Sequence, residues 1–520
     1  MNKERTPSFI HEVALSVDAK QKRELLTRMD MARMLYNSCL GEAQNRLGLV
    51  RQSRMFRSAV TMDGARRKER SALFKEANAR YGFTEYALHK YAVAGKNRCA
   101  IGDHLDVHTV QKIATRAFSA VLMHALGKRG KPRFKGKGQL VSVESKSNDA
   151  GIRFRADERQ SRVEWNGLVL PIILDRKDKD GVQAHAMSCR TKYVRLVCRS
   201  YKGNTLFSAQ LVQEGYPKLK SKNAVTSGKS ALDIGPSTYA LYTEDTAELG
   251  QFCAGLDPLH RTLRSIQRKM DRSRRASNPE NYNSDGTVRK GNKRWVTSDH
   301  YQRLKLQISE IHRRLAANRK TLHGALANRI LAHGTVIQME KLSYRAFQKM
   351  FGRSIGFRAP GMFVSMLRRK AESAGGAVID LPAGTLKLSQ TCQCGHQRKK
   401  PLHERWHRCP DCGICAQRDL YSAYLAYHVS NDVLDKESAT ASWPGAESLL
   451  MQAVSRVQHE SANAGNSVPQ SFGVGRSMSG LPVKGSYPVS DDVDVVAFAS
   501  MRTREPRKRA VLATPRTPRL

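Results

Sequence analysis

Five of the ten cysteines crowd into one stretch, "TCQCGHQRKKPLHERWHRCPDCGICAQRDL", from Thr391 to Leu420. Cys392 and Cys394 form one group, and Cys409 and Cys412 form another. Four thiolates in tetrahedral array close a structural zinc site, and such a site shapes a segment too short to have a core of its own. The gap between Cys392 and Cys394 is one residue where two is usual, so His396, His407 and Cys415 stand as substitutes for one ligand. The other cysteines, Cys39, Cys99, Cys189, Cys198 and Cys253, are scattered singly, as small buried residues are in a reducing compartment. The knuckle runs straight into Asp419, at the start of an amphipathic helical pattern, "RDLYSAYLAYHV".

The partner is constrained by charge. Lys and Arg number 89 against 46 acids, a net charge of +43 over 520 residues. That excess points to a polyanion, and nucleic acid is the expected one. The sequence shows no apolar run of bilayer length and no strong basic amphipathic anchor, so a membrane role is not expected. "MNKERTPSFIHEVALSV" lacks the apolar core of a signal peptide. The expectation is a soluble, cytoplasmic protein.

Along the chain, "FIHEVALSV" alternates apolar and polar residues with Phe9, Val13, Leu15 and Val17 on one face, which predicts a strand. Helical periodicity follows, first through Leu25, Met29, Ala32, Tyr36, Leu40, Ala43 and Leu47, and last through Val110 to Leu122 with Gly127 as a stop. "GKRGKPRFKGKG" (127–138) is a loop that reads as a solvated linker or as a backbone-phosphate contact through Lys128, Arg129, Lys131, Arg133 and Lys135, because glycine allows close approach. "LVLPIIL" predicts a strand, and "KYVRLVCRSYKGNTLFSAQLVQ" a hairpin turning at Lys202-Gly203-Asn204. Strands therefore flank the helical block on both sides. Beyond a short linker, "ALDIG", "GTVIQME" and "AVIDLP" read as strands, separated by a basic helical pair at 257–333 and a glycine-stopped helix, "FVSMLRRKAESAGG". From about 430 the periodicity fades into Ser, Gly and a basic end, which predicts disorder.

Three acids stand out: Asp233 in "LDIGPS", Glu340 in "VIQMEKL" and Asp419 in "QRDLYSA". A carboxylate embedded in an apolar strand is expensive unless paired or bound to metal. Two Mg²⁺ ions about 4 Å apart, shared among carboxylates, activate water and stabilise the leaving oxygen in phosphodiester cleavage. Each acid alone reads more readily as a cap or an ion-pair partner. Their order, strand-acid, strand-acid, knuckle, helix-acid, points to a common site.

"LDIGPSTYAL", "VIQMEKLSYRAFQKMF" and "TCQCG…HRCPDCG…QRDLYSAYLA" together resemble the RuvC-type nuclease domain of the TnpB family, proteins encoded by insertion sequences and related to compact type V CRISPR effectors. The resemblance covers roughly residues 229–428, and more loosely the wedge and recognition domains upstream. It implies a multidomain α+β chain: a wedge strand at 1–18, a helical recognition domain at 19–139, a β-barrel-like wedge domain at 140–228, and an RNase H-like α/β nuclease domain at 229–428. The nuclease domain holds the helical pair and a zinc knuckle at 388–416, and a disordered basic tail at 429–520 follows it. The implied activity is Mg²⁺-dependent, RNA-guided cleavage of double-stranded DNA next to a short motif, by a bacterial, nucleoid-associated protein. By position, Asp233, Glu340 and Asp419 are its catalytic, Mg²⁺-binding acids, and Cys392, Cys394, Cys409 and Cys412 its Zn²⁺ ligands. Asp419 is followed by Leu-Tyr-Ser-Ala where the family usually has x-Asn-Ala-Ala. This departure keeps open a guided binder that does not cut, and an RNA-independent transposon-encoded DNA-binding protein or transposase is the other alternative. "LSYRAFQKMFGRSIGFRAPG" after Glu340, with Arg345, Arg353 and Arg358, reads as a mobile lid gripping a nucleic-acid strand, or as a plain surface loop.

Overall fold

The computed structural model describes residues 6–473, apart from 158–159, 258, 402 and 464–467. Strand β1 (Ser8–Leu15) feeds a long helix, α1 (Ala19–Gln52). Asp18 caps it reciprocally: its carboxylate accepts from the Gln21 N–H, and the Gln21 side chain accepts from the Asp18 N–H, satisfying two otherwise orphaned donors. Ser53 ends α1 and caps α2 (Arg54–Thr61) by accepting from the Phe56 N–H. Helices α3 (Arg67–Arg80), α4 (Glu85–Asn97), α5 (Ile101–His104) and α6 (Val107–Ala125) complete the block. Gly127 stops α6 at φ +68, its N–H bonded to the His124 carbonyl.

Strands β2 (Ser142–Glu144), β3 (Ile152–Ala156), β4 (Ser161–Trp165) and β5 (Leu168–Ile173) follow, then helix α7 (Val182–Ser188) and the hairpin of β6 (Thr191–Tyr201) and β7 (Asn204–Glu214). At the hairpin turn Lys202 and Gly203 both have positive φ, +48 and +83, the backbone that matches strand twist in a two-residue turn. The sheet order is β2-β6-β7-β1-β5-β4-β3, antiparallel throughout. The first strand thus lies mid-sheet, and the helical block is inserted between β1 and its partners. The sheet curls so that β3 approaches β6. It is not the closed barrel that a barrel-like wedge implies: β2 and β3 stand at opposite ends of the order, and β2 is only three residues long.

Helices and sheet share one core, so the packing does not break at 139/140. Trp165 on β4 is fully buried, and Arg28 of α1 lies over its ring at 5.0 Å. The Trp165 indole N–H donates to Asp106 Oδ2 at 2.9 Å, while Asp106 Oδ1 accepts from the Thr109 N–H, capping α6. Asp106→Ala removes a cap and strands a buried indole donor. We expect it to lower stability by about 2–4 kcal/mol, read as a lower urea midpoint.

The second half is built on β8 (Lys229–Ile234), β9 (Thr238–Tyr242), β10 (Ala247–Gln251), the helical pair α8 (His260–Ala276) and α9 (Asp299–Leu331), β11 (Val336–Glu340), α10 (Tyr344–Arg358), α11 (Pro360–Ser373) and β12 (Ala377–Leu381). Its sheet runs β10-β9-β8-β11-β12. β10, β9 and β8 pair antiparallel, and β8, β11 and β12 pair parallel. A short α12 (Ala383–Leu386) leads to the cysteine segment with β13 (Trp406–Arg408) and β14 (Cys415–Gln417). Helix α13 (Arg418–Tyr427), the hairpin β15 (Val429–Ser430) and β16 (Val433–Leu434), and helix α14 (Lys436–Asn463) follow. Side-chain alternation divides the sheet: Leu232, Ile234, Ile337 and Met339 join α9 and α11 on one face, and Ala231 joins α13 and α14 on the other.

The disorder expected from 429 does not hold for 429–463, which form β15, β16 and α14. Helix α14 buries Ala439, Ala446, Leu450, Ala453, Val454 and Val457. Its apolar face is made largely of small side chains and is interrupted by Pro444-Gly445, which weakens the periodic signal. Residues 474–520 lie outside the described residues. The lid expected at 342–361 is helical, through α10 and the start of α11.

Candidate carboxylate site and metal centre

Period-2 alternation carries the site. Asp233 follows Ala231 on the face of β8 turned to α13, and Glu340 follows Gln338 on the same face of β11, where the Gln338 amide donates to the Val429 carbonyl. In the parallel register Met339 pairs with Leu232, and one step on brings Glu340 beside Asp233 at the carboxyl ends of adjacent strands. Asp419, in the first turn of α13, comes down on the same spot, for Asp233 feels both Asp419 and Glu340. Burial, then the charges of Asp419 and Glu340, raise the Asp233 carboxyl well above the usual range, with Arg418 opposing. Burial also raises Glu340, partly countered by the Leu388 N–H, which donates to Glu340 Oε1 at 3.4 Å. Asp419 is buried, while Asp233 and Glu340 keep partial access to solvent. Three carboxylates thus crowd one opening, where a hard divalent cation relieves their repulsion and oxygen is the donor it prefers.

Sequence reasoning missed several groups around these acids. Arg405 Nη1 lies 3.6 Å from Asp419 Oδ2, and Arg418 Nε donates to Asp419 Oδ1 at 3.4 Å. Arg418 is itself buried and anchored by its Nη1 to the Glu404 carbonyl at 2.8 Å. Gln417 caps α13, its Oε1 accepting from the Leu420 N–H at 2.8 Å, and its amide donates to the Phe472 carbonyl at 3.3 Å. The Tyr344 hydroxyl is buried and unpartnered among the described residues. Burial raises it to about 12, with Asp233 and Asp380 adding and Arg368 opposing. Arg418 and Gln417 had a signal in "QRD"; Arg405 and Tyr344 reach the site through the fold.

The four thiols of Cys392, Cys394, Cys409 and Cys412 lie within 4.8 Å of one another. The Cys392–Cys412 and Cys394–Cys409 sulfurs are each 3.5 Å apart. A tetrahedral zinc with Zn–S near 2.3 Å sets sulfurs about 3.8 Å apart, so this set can hold it. The one-residue gap is accommodated by a tight turn, with the Cys392 N–H on the His396 carbonyl and the Gly395 N–H on the Cys392 carbonyl. Desolvation pushes the Cys409 thiol up, but the N–H groups of Cys412 and Asp411 and neighbouring thiols outweigh it and bring it to about 7. The substitutes are placed elsewhere. His396 pairs with Asp411 at 2.9 Å, His407 packs tilted against Tyr421 with ring centroids 4.4 Å apart, and Cys415 lies on β14 outside the cluster. The knuckle shares a core with α13 and α14. Tyr421 of α13 reaches Cys392 Sγ at 3.3 Å through its hydroxyl, which also accepts from the Gln393 N–H. That contact ties the metal centre to the helix bearing Asp419.

The predicted basic residues divide. Lys128, Arg129, Lys131 and Arg133 are exposed, on a loop strapped along α1 by Gln44 to the Pro132 carbonyl and Asn37 to the Lys135 carbonyl. Lys135 turns inward, its ammonium over the Tyr36 ring at 5.5 Å, and burial lowers its pKa. Arg345 and Arg353 are exposed on α10, whereas Arg358 is half-buried and donates to the Phe252 carbonyl at 3.1 Å. Lys135 and Arg358 thus each make a contact within the fold.

Residues 361–425, from α11 through the knuckle into α13, match the family model described as Cas12f1-like, TNB domain. The chain is similar to the Cas12f1-like proteins. This bears out the resemblance to TnpB and compact type V effectors read from the motifs. No curated protein matches the chain. Among solved structures, a Cas12f1–sgRNA–target DNA complex aligns at 12% identity and a TM-score of 0.41, covering 80% of this chain and 98% of that chain. A CRISPR–Cas12f ternary complex aligns at 14% identity and a TM-score of 0.23, covering 80% and 82%. The Cas12f1-like segment contains all four clustered cysteines and Asp419; Asp233 and Glu340 lie upstream of it. No helix among the described residues is long and apolar enough to cross a membrane.

Proposed function

We propose that this protein is an RNA-guided DNA endonuclease with one RuvC-type site. The observation that carries the reading is the convergence of Asp233, Glu340 and Asp419 on one face of the five-stranded mixed sheet β10-β9-β8-β11-β12, which supports the expected RNase H-like nuclease domain. The Cas12f1-like segment and the net charge of +43 support guide RNA and double-stranded DNA as partners.

Asp233, Glu340 and Asp419 hold Mg²⁺, two ions in this reading, which when bound supplies charge neutralisation at the scissile phosphate and an activated water. The chain's own part is positioning. Two strand ends fix Asp233 and Glu340, the Leu388 N–H orients Glu340, and Arg405 and Arg418 fix Asp419. The knuckle, loaded with Zn²⁺ by Cys392, Cys394, Cys409 and Cys412, pins the start of α13. Lys128, Arg129, Lys131, Arg133, Arg345 and Arg353 contact phosphate.

The deciding experiment sequences the RNA that copurifies with the protein expressed beside its native flanking DNA, then assays cleavage in Mg²⁺. One discrete RNA ending in variable guide sequence, with Mg²⁺-dependent cutting, is expected. Heterogeneous or absent RNA overturns the guided class. A discrete RNA without cutting leaves a guided binder, and strand-joined products a transposase.

A further inference from the structure

Residues 468–473, beyond α14, lie against the start of α13. They include a 3₁₀ turn, Gln470–Phe472, in which the Phe472 N–H donates to the Pro469 carbonyl at 2.9 Å. Phe472 is 4% exposed in the core shared by the knuckle, α13 and α14, and Val468 packs against that core. Two side chains of the β13–β14 ribbon hold the backbone that follows. The Gln417 amide donates to the Phe472 carbonyl at 3.3 Å, and the Trp406 indole N–H donates to the Gly473 carbonyl at 3.0 Å. Trp406 and Gln417 are direct cross-strand partners, so the ribbon grips the segment at consecutive residues. Gly473 has φ +68, and a Cβ added there would collide with the Cβ of Arg405. Glycine is what permits this approach.

The residues that receive this segment also surround Asp419. Gln417 is 1% exposed and caps α13, its Oε1 accepting from the Leu420 N–H at 2.8 Å. Without the Phe472 carbonyl its amide would be a buried donor left unmet. Arg405 Nη1 lies 3.6 Å from Asp419 Oδ2, and the Arg405 carbonyl accepts from the Arg418 N–H at 2.8 Å. We propose that residues 468–473 are a C-terminal strap in which Phe472 and Gly473 are positioning residues for the carboxylate site. They fix the Gln417 amide and the Arg405 backbone, and through these the first turn of α13 and Asp419. The strap touches neither metal nor substrate; it acts as the outer partners of a metal ligand do, by setting the ligand's orientation. A segment that only covered the core would need an apolar side chain at 472 and would not need glycine at 473. The inference rests on the divalent-metal reading of the three acids in the proposed function, but the link from strap to helix is read without that metal.

The test uses the full-length, zinc-loaded chain carrying Phe472→Ala or Gly473→Ala. Amide hydrogen exchange over residues 417–421 is followed without Mg²⁺, and Mg²⁺ affinity is measured by calorimetric titration. Both variants should exchange roughly 5-fold faster across the first turn of α13, the effect of a weakened helix cap. Both should bind Mg²⁺ about 10-fold more weakly, as when an outer partner of a ligand is lost. Gly473→Ala removes no apolar contact, so its effect is not one of core loss. Phe472→Leu keeps an apolar anchor and should restore both readings. Ile330→Ala opens the core on the other face of the sheet, at the end of α9 that leads into the start of β11. It should lower the melting temperature and leave both readings at the parent's values. Unchanged exchange in Gly473→Ala overturns the proposal. So does faster exchange with Mg²⁺ affinity intact, which leaves the strap as a cover for the core, and so does an equal loss in Ile330→Ala, which makes the effect one of general destabilisation. A parent that binds no Mg²⁺ sinks the proposed function instead, and hydrogen exchange then decides by itself whether the strap fixes α13.

Discussion

Asp233→Asn should abolish DNA cleavage, by at least ~10³-fold or about 4 kcal/mol of barrier, while RNA and DNA binding persist. The same variant should be more stable than the parent when divalent ions are removed. Burial, with Asp419 and Glu340 behind it, raises the folded carboxyl above its unfolded value near ~3.9. An acid raised in this way supports the metal-free fold fully below that value, and the support is lost as pH climbs through the folded pKa. The melting-temperature advantage of Asp233→Asn in chelator should thus be small near pH ~4 and grow toward neutrality. Added Mg²⁺ should stabilise the parent and not the variant. A variant that still cuts, or a parent whose stability ignores both pH and Mg²⁺, would remove the acids from the site.

Cys412→Ser should take the bound zinc from one per chain to near none, measured by elemental mass spectrometry, and leave the segment around 388–416 open to protease. Structural zinc in small domains contributes about 10–16 kcal/mol to their folding, so the local loss is large even though the knuckle shares a core with α13 and α14. Through Tyr421, which joins Cys392 to α13, the placement of Asp419 should suffer too, and cleavage should fall with it. Cys415→Ser is the control and should keep its zinc, since Cys415 lies outside the cluster. Zinc retained by Cys412→Ser and lost by Cys415→Ser would reverse the ligand assignment.

Much of this was legible in local pattern. Alternation marked β1 and the β6–β7 hairpin, and Lys202-Gly203 announced its turn, because side-chain direction and φ are decided within a few residues. An acid closing an apolar strand is conspicuous for the same reason, which is how Asp233 and Glu340 stood out. The paired cysteines advertised a metal centre, since thiolate geometry restricts spacing.

Other features are properties of contacts between distant segments. That Asp233 and Glu340 share a face depends on the parity of the β8–β11 register; a one-residue slip would turn them apart. What a cation does depends on what folds against it: Lys135 lies over Tyr36 and Arg358 holds the Phe252 carbonyl, while Arg264, Arg268 and Arg272 of α8 are exposed. Helix α14 escaped notice because its buried side is mostly small side chains and carries a proline, and its order comes from the core that receives it. That the curled sheet stays open, with β2 and β3 at opposite ends of its order, is announced by nothing nearby in sequence. Residue type and spacing determined which chemistry the chain has available. Long-range pairing and burial decided which residues are free to use it, because those energies exist only once remote segments meet.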